Sequence, residues 1–256
     1  MSLAVLALAG GHEPNLTASP PSQVRLPKVQ VNARPLSLAF RQVIVPEVQF
    51  DVQSQGPWWT PAPEHIEVQF ERQQGSFQDT LLRVYPVKDY ERLQARVQPN
   101  PIHAEVVRLR DVLRAGFGTD GKPLPYLPLI NYWQALHAAP KRLNFHGGSG
   151  VRYLTAYNQD LVPFIRERVF YTFQGLTNDG RYYVSFTAPA NPAFLPARFE
   201  DVPEPDRSLG GYENGIEAEN KTFAAYAARV TRQLDTLTND ASLTKYDAVI
   251  RSLSVR

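Results

Sequence analysis

Residues 168–187 read RVFYTFQGLTNDGRYYVSFT. Two runs rich in Tyr, Phe, Val and Thr flank Thr177-Asn178-Asp179-Gly180, where Gly supplies a positive φ and Asn and Asp tolerate a tight reversal. In the first run Val169, Tyr171 and Phe173 point one way, and Phe170, Thr172 and Gln174 the other. In the second, Tyr182, Val184 and Phe186 oppose Tyr183, Ser185 and Thr187. The spacing predicts an antiparallel hairpin, with residues 168–176 and 181–188 paired near the centre of a sheet and Phe173 in the core.

Upstream, strand patterns fall at residues 48–52, 65–70 and 81–87; in the second, Ile66, Val68 and Phe70 alternate with Glu67 and Gln69. A helical pattern begins near Asp89. Asn100 suits a cap and Pro101 a first helical position, followed by Ile102, Val106, Leu109 and Leu113 at helical spacing, with Gly116 as the stop. A Pro-rich loop at 122–128 leads to a short helix around residues 132–138, and strands resume at 142–145 and 151–157. After a second Pro-rich stretch, 189–211, a helix over 217–237 places Phe223, Ala227, Val230, Leu234 and Leu237 on one face. A helix at 243–250 and a brief strand at 253–255 follow. Strands in consecutive hairpins with grouped helices imply an α+β fold, an antiparallel sheet with helices packed on its faces.

Leu3-Ala4-Val5-Leu6-Ala7-Leu8-Ala9-Gly10 is far shorter than the roughly 20 residues that cross a bilayer, and reads as the tail of a signal sequence. Leu8-Ala9-Gly10 resembles the start of a lipobox, with Gly11 where the lipidated Cys would stand. Pro14, Pro20, Pro21, Pro27 and Pro35 follow among polar residues, which predicts a tether through residue 35 and one domain over 36–256. The expected home is exported, in the periplasm or at the cell surface, with membrane contact only through an N-terminal anchor.

With 43% apolar and 20% charged residues, the 256-residue chain has the composition of a folded domain. A net charge of +2 and the lack of a basic run argue against nucleic acid as a partner. The absence of Cys excludes disulfides, thiolate zinc sites and thiol nucleophiles. The five His are scattered without ligand spacing, so no metal is expected. Gly116-Phe117-Gly118-Thr119-Asp120-Gly121 fits a dinucleotide fingerprint by letter, but follows a helix and runs into Pro123; it reads as a C-cap and turn, and no cofactor is expected. Gly147-Gly148-Ser149-Gly150-Val151 has Val where a nucleophile elbow needs Gly, and reads as a turn.

Aromatic residues remain. Trp133 and alternate ring positions of the strands read as core. Trp58 and Trp59 depart from that pattern, because Pro57 and Pro61 hold them in an extended connecting loop. They are expected to leave at least one ring exposed, lining a groove with Tyr126 or Tyr132 that binds a ligand or partner.

From Pro63 onward the chain resembles an uncharacterised family of exported bacterial proteins, often lipoproteins with Pro-rich leaders. The resemblance is carried by Pro63-Glu64-His65-Ile66, Val84-Tyr85-Pro86-Val87-Lys88-Asp89-Tyr90, Leu124-Pro125-Tyr126-Leu127-Pro128, Gly148-Ser149-Gly150-Val151-Arg152-Tyr153-Leu154-Thr155 and Phe170-Tyr171-Thr172-Phe173-Gln174-Gly175-Leu176-Thr177. It implies export and brings no activity. The C-terminal half, with its aromatic hairpin, long helix and Tyr246-Asp247-Ala248-Val249-Ile250-Arg251-Ser252-Leu253, more loosely resembles the PsbP-like and LpqN-like fold. That resemblance implies a binding or assembly role by analogy of fold. The expected function is a non-catalytic exported protein that binds a protein or small ligand. The competing readings are a hydrolase whose acidic residues converge only in the fold, and a structural subunit of an envelope complex.

Overall fold

The computed structural model describes residues 25–49, 57–72, 78–117, 122–210 and 215–256. In chain order the elements are β1 (Val29–Gln30), β2 (Phe40–Val45), β3 (His65–Phe70), β4 (Leu81–Pro86), α1 (Val87–Leu93), α2 (Pro101–Ala115), β5 (Trp133–Phe145) and β6 (Gly148–Asn158). They continue with β7 (Phe170–Thr177), β8 (Tyr182–Pro189), α3 (Ile216–Asp235), α4 (Ala241–Ser252) and β9 (Ser254–Val255). Among the described residues seven strands form one antiparallel sheet in the order β2-β3-β4-β8-β7-β6-β5, and β1 pairs with β9 in a second, small one.

The aromatic hairpin supplies the middle of the large sheet. Phe173 pairs with Phe186 and Leu176 with Tyr183, and Gly180 takes φ +68° in the turn. The pleat then sorts the side chains. Tyr171, Phe173, Tyr182, Val184 and Phe186 join Ile66, Val68, Leu82 and the apolar faces of α3 and α4 in one core. Tyr153, Leu176 and Tyr183 face the opposite way, into a second core with Tyr90, Ile102, Val106 and Leu109 of α1 and α2. Helices on both faces of an antiparallel sheet make this an α+β fold, as the pattern predicts.

The helix signals hold where the local chemistry is strong. Asn100 Oδ1 accepts from the backbone N–H groups of Ile102 (3.0 Å) and His103 (3.2 Å), Pro101 occupies the first turn, and Gly116 ends α2 at φ +89°. On α3 Phe223, Ala227, Val230 and Leu234 are buried as predicted, with Tyr226 beside them; Leu237 lies past the helix end at the margin of the core.

The expected helix at 132–138 is instead the first half of β5. Its pairing with β6 slips between Gln134 and Leu136 and again between Ala138 and Lys141, where Ala139 adopts φ +50°. These bulges break the alternation that would have marked a strand. The second bulge is stabilised by the fully buried Arg152 of β6, whose guanidinium donates to the carbonyls of Ala139 and Thr238. The same group lies 3.2 Å from Asp247 of α4, to which Tyr171 also donates at 3.0 Å.

Two further expectations shift. The first strand of the large sheet is β2, at residues 40–45, and of the expected strand 48–52 only Val48 forms a bridge, to Ala62, with residues 50–52 outside the described set. Residues 25–35, expected in the tether, are packed against the body. Val29 and Ala33 are buried, β1 pairs with β9, and the N–H of Asn32 donates to Ser252 Oγ at 3.0 Å. The preceding residues 1–24, with the signal-like run and most of the tether, lie outside the described residues. Among the described residues no helix is long and apolar enough to cross a membrane.

Candidate functional site

At the end of the sheet where β3 starts and β4 gives way to α1, the β7–β8 turn, α2 and the β1 segment surround a cleft of about 1220 Å³. Its apolar surface comes from Leu26, Ile44, Ile66, Val87 and Tyr182. Ile44 pairs with Ile66 across β2 and β3, so the pleat points both to the same side. The β1 segment is fastened over this end by its backbone. Tyr182 Oη donates to the carbonyl of Arg25 at 2.7 Å, and Lys28 and Arg256 exchange N–H···O bonds at 2.7 and 3.1 Å.

Charge is distributed unevenly around the cleft. Among the described residues its lining carries six cations, Arg25, Lys28, Lys88, Arg110, Arg181 and Arg256, against the carboxylates of Glu91 and Asp179. Both carboxylates are engaged locally. Asp179 accepts from Thr177 Oγ1 (2.6 Å) and the Arg181 N–H (3.0 Å), which hold its carboxyl below the usual range, and it ion-pairs with Arg181 at 2.8 Å. Glu91 lies 3.0 Å from His103 Nδ1. Arg181 also sits over the Tyr182 ring, 5.4 Å from its centre, and Arg256 reaches His146 at 3.2 Å. Arg110 reaches from α2 to the turn, where a Cβ on Gly180 would come within 3.0 Å of its Nη2. Arg25, Lys28, Lys88 and Arg110 form no ion pair among the described residues. Cations left unneutralised around an apolar floor favour an anion that carries an apolar body.

No local signal announces this cleft. Its cations are scattered from residue 25 to residue 256 and never form a run, so a search for a basic stripe passes over them.

The four aromatic residues proposed from sequence separate into two places. Trp58 and Tyr132, exposed by 42% and 51%, line a shallow groove of about 430 Å³ with Ile130, Asn131, Trp133, Asn158 and Gln159. Trp59 stands behind Trp58, edge to face at 5.8 Å, and is half-buried and outside the groove lining. Tyr126 is elsewhere, against Tyr157 (4.9 Å) and Phe170 (6.1 Å), with burial pushing its phenol up to about 12. Trp133, read as core, is 41% exposed, because β5 begins there and its first residue projects past the sheet to rest edge-on against Phe223 at 5.5 Å. The groove continues past Trp133 and Gln159 into a second hollow of about 630 Å³ bounded by Asp160, Leu161, Ile216 and Asn220.

The glycine motifs serve the fold. Gly116 caps α2, and residues 118–121 of that string lie outside the described set. Gly147 turns at φ +97° between β5 and β6, where a Cβ would come within 2.8 Å of the Val255 carbonyl. Among the described residues no group of three or more His, Cys, Asp or Glu is placed to hold a metal ion. Among the described residues, none that lines the cleft is Ser, Thr or Cys. No protein-family model, no curated protein and no solved structure matches this chain.

Proposed function

We propose that this is an exported or surface-attached binding protein that captures an anionic ligand with an apolar body in the cleft at the end of the sheet. The observation that carries the reading is the convergence of Arg25, Lys28, Lys88 and Arg110, without carboxylate partners among the described residues, around a floor of Leu26, Ile44 and Ile66. Cations on several separate elements are held apart by the scaffold and offer an anion a preformed field, so little ordering is needed when it binds. The export component draws on the signal-like start and on the resemblance to exported bacterial proteins.

The test is calorimetric titration with 1-naphthyl phosphate, inorganic phosphate and neutral 1-naphthol. The naphthyl phosphate is expected to bind at least about tenfold more tightly than either fragment, with affinity falling as salt rises. The double variant Lys88→Glu/Arg110→Glu should weaken it by about another tenfold or more. Equal binding of the neutral and charged probes, or an unchanged affinity in the double variant, overturns the reading.

A further inference from the structure

We propose that β2 is the seat of a symmetric dimer, in which the outer edge of the large sheet pairs antiparallel with the same strand of a second copy of this chain. The proposal stands on the geometry of that edge and does not depend on what the cleft binds.

The two edges of the sheet are finished differently. At one, β5 carries two bulges and Pro140, and α3 and α4 pack against it. Bulges, proline and a helical cover are the features that discourage further strand pairing. The other edge has none of them. β2 pairs with β3 in unbroken register, contains no Pro, Gly or Lys, and among the described residues no strand pairs with its outer side. Two large apolar side chains stand along it in solvent, Phe40 exposed by 45% and Ile44 by 63%.

The backbone decides how a partner strand can dock. In an antiparallel ladder the N–H and C=O of one residue point to the same side, and successive residues point to opposite sides. The Glu71 N–H donates to the Ala39 carbonyl at 2.9 Å, so residues 39, 41, 43 and 45 face β3. Phe40, Gln42 and Ile44 therefore present their N–H and C=O groups to the open edge, with their side chains on one face of the pleat.

A two-fold axis must bring outward residues opposite outward residues, so it passes beside a residue and never between two. Centred on Gln42, it places Gln42 opposite itself and Phe40 opposite Ile44 of the second copy, and every outward backbone group of the strand is paired. A shift of the axis to Val43 sets Pro46, which has no N–H, opposite Phe40. A shift to Arg41 sets Ile44 opposite Leu38, outside the strand. The Gln42 register also packs the two exposed apolar side chains against each other, and a hollow of about 330 Å³ lies beside Phe40 where the second copy's Ile44 arrives. The single charge of the strand, Arg41, falls opposite Val43, so no like charges meet. This match of backbone, apolar pairs and charge is supplied by β2 to itself, which selects a second copy over an unrelated strand. Gln42 and Ile44 also line the anion cleft, so the second copy's Phe40 is brought alongside that lining.

The chain has no Cys, so a single introduced Cys reports the register. Residues opposite each other in a hydrogen-bonded pair have Cα atoms about 5.5 Å apart, within the span of a disulfide. Sedimentation equilibrium of the full chain is expected to show a monomer–dimer equilibrium with a Kd of about 1–100 μM. Under mild oxidation Gln42→Cys should form a disulfide-linked dimer. Ile44→Cys, about 14 Å from its symmetry mate along the strands, should not. Ile44→Lys, at an exposed position, should weaken the dimer by about tenfold or more with its melting temperature unchanged. A chain that stays monomeric up to about 300 μM overturns the proposal. So does a dimer undiminished by Ile44→Lys, which would place the interface elsewhere, or one in which Ile44→Cys cross-links as readily as Gln42→Cys.

Discussion

The guanidinium of Arg152 on β6 meets the carboxylate of Asp247 on α4 at 3.2 Å, with both side chains buried. Arg152 also donates to two carbonyls and Tyr171 donates to Asp247, so sheet, bulge and helix converge on one ion pair. Breaking such a pair leaves an uncompensated buried charge. Asp247→Ala is expected to cost about 3–5 kcal/mol in a denaturant melt. Replacing both partners, as Arg152→Met/Asp247→Leu, should recover much of that loss; a double variant no more stable than the single one would show that the charge is not what the pair supplies.

Phe173, wholly buried on β7, packs against Phe145 at 6.1 Å and closes over Gly150 and Gly175. Phe173→Ala should cost about 3–5 kcal/mol. Gly150→Ala should also destabilise, because its Cβ would come within 2.4 Å of the Phe173 ring and 2.3 Å of the Gln174 carbonyl. A loss below about 1 kcal/mol for Phe173→Ala would place that ring outside the core.

Glu67 on β3 is held down to about 2, from an ordinary value of 4.5, by His65 first and then by Gln69 and Arg83. Its folded value is the lower one, so its contribution to stability is present above 4.5 and lost as pH falls toward 2. Wild type and Glu67→Gln should therefore differ most above that window and converge within it. Melting curves at several pH values check this, and a difference that grows on acidification would reverse the sign.

Residues 25–33 carry backbone bonds to β9 and the buried side chains of Val29 and Ala33. Deleting residues 1–33 is expected to lower the melting temperature by roughly 5–10 °C relative to deletion of 1–24. Equal melting of the two truncations would make the β1–β9 pairing energetically idle. The shorter truncation should also keep the affinity for naphthyl phosphate, whereas the longer one removes Arg25 and Lys28 from the cleft.

The sequence was most legible where one short-range rule governs. The period of two gives the β7–β8 hairpin, Asn100 and Pro101 mark the start of α2, and the 3.6 period marks the buried face of α3. The first half of β5 reads as a helix because Trp133, Leu136 and three Ala within 132–139 imitate a helical stripe, while the groups that hold its second bulge, Arg152 and Asp235, lie elsewhere in the sequence. The exposure of Trp58 is legible from the Pro-flanked loop that carries it, whereas Tyr132 falls where the pattern predicts a helix. The exposure of Trp133 is not legible, since it depends on where the sheet ends.

The pairing of β1 with β9 also sets the order in which a nascent chain acquires its binding cleft. Lys28 and Arg256 bond each other's backbones, so the wall containing residues 25–28 can be held by Tyr182 early but acquires its strand partner only when residue 256 has been added. At translation speeds of about 5–20 residues per second, that leaves an interval of roughly 10–45 s in which the early segment waits. A ribosome-bound intermediate lacking β9 would expose Val29 and leave the cleft incomplete, so its full assembly waits until β9 has been made.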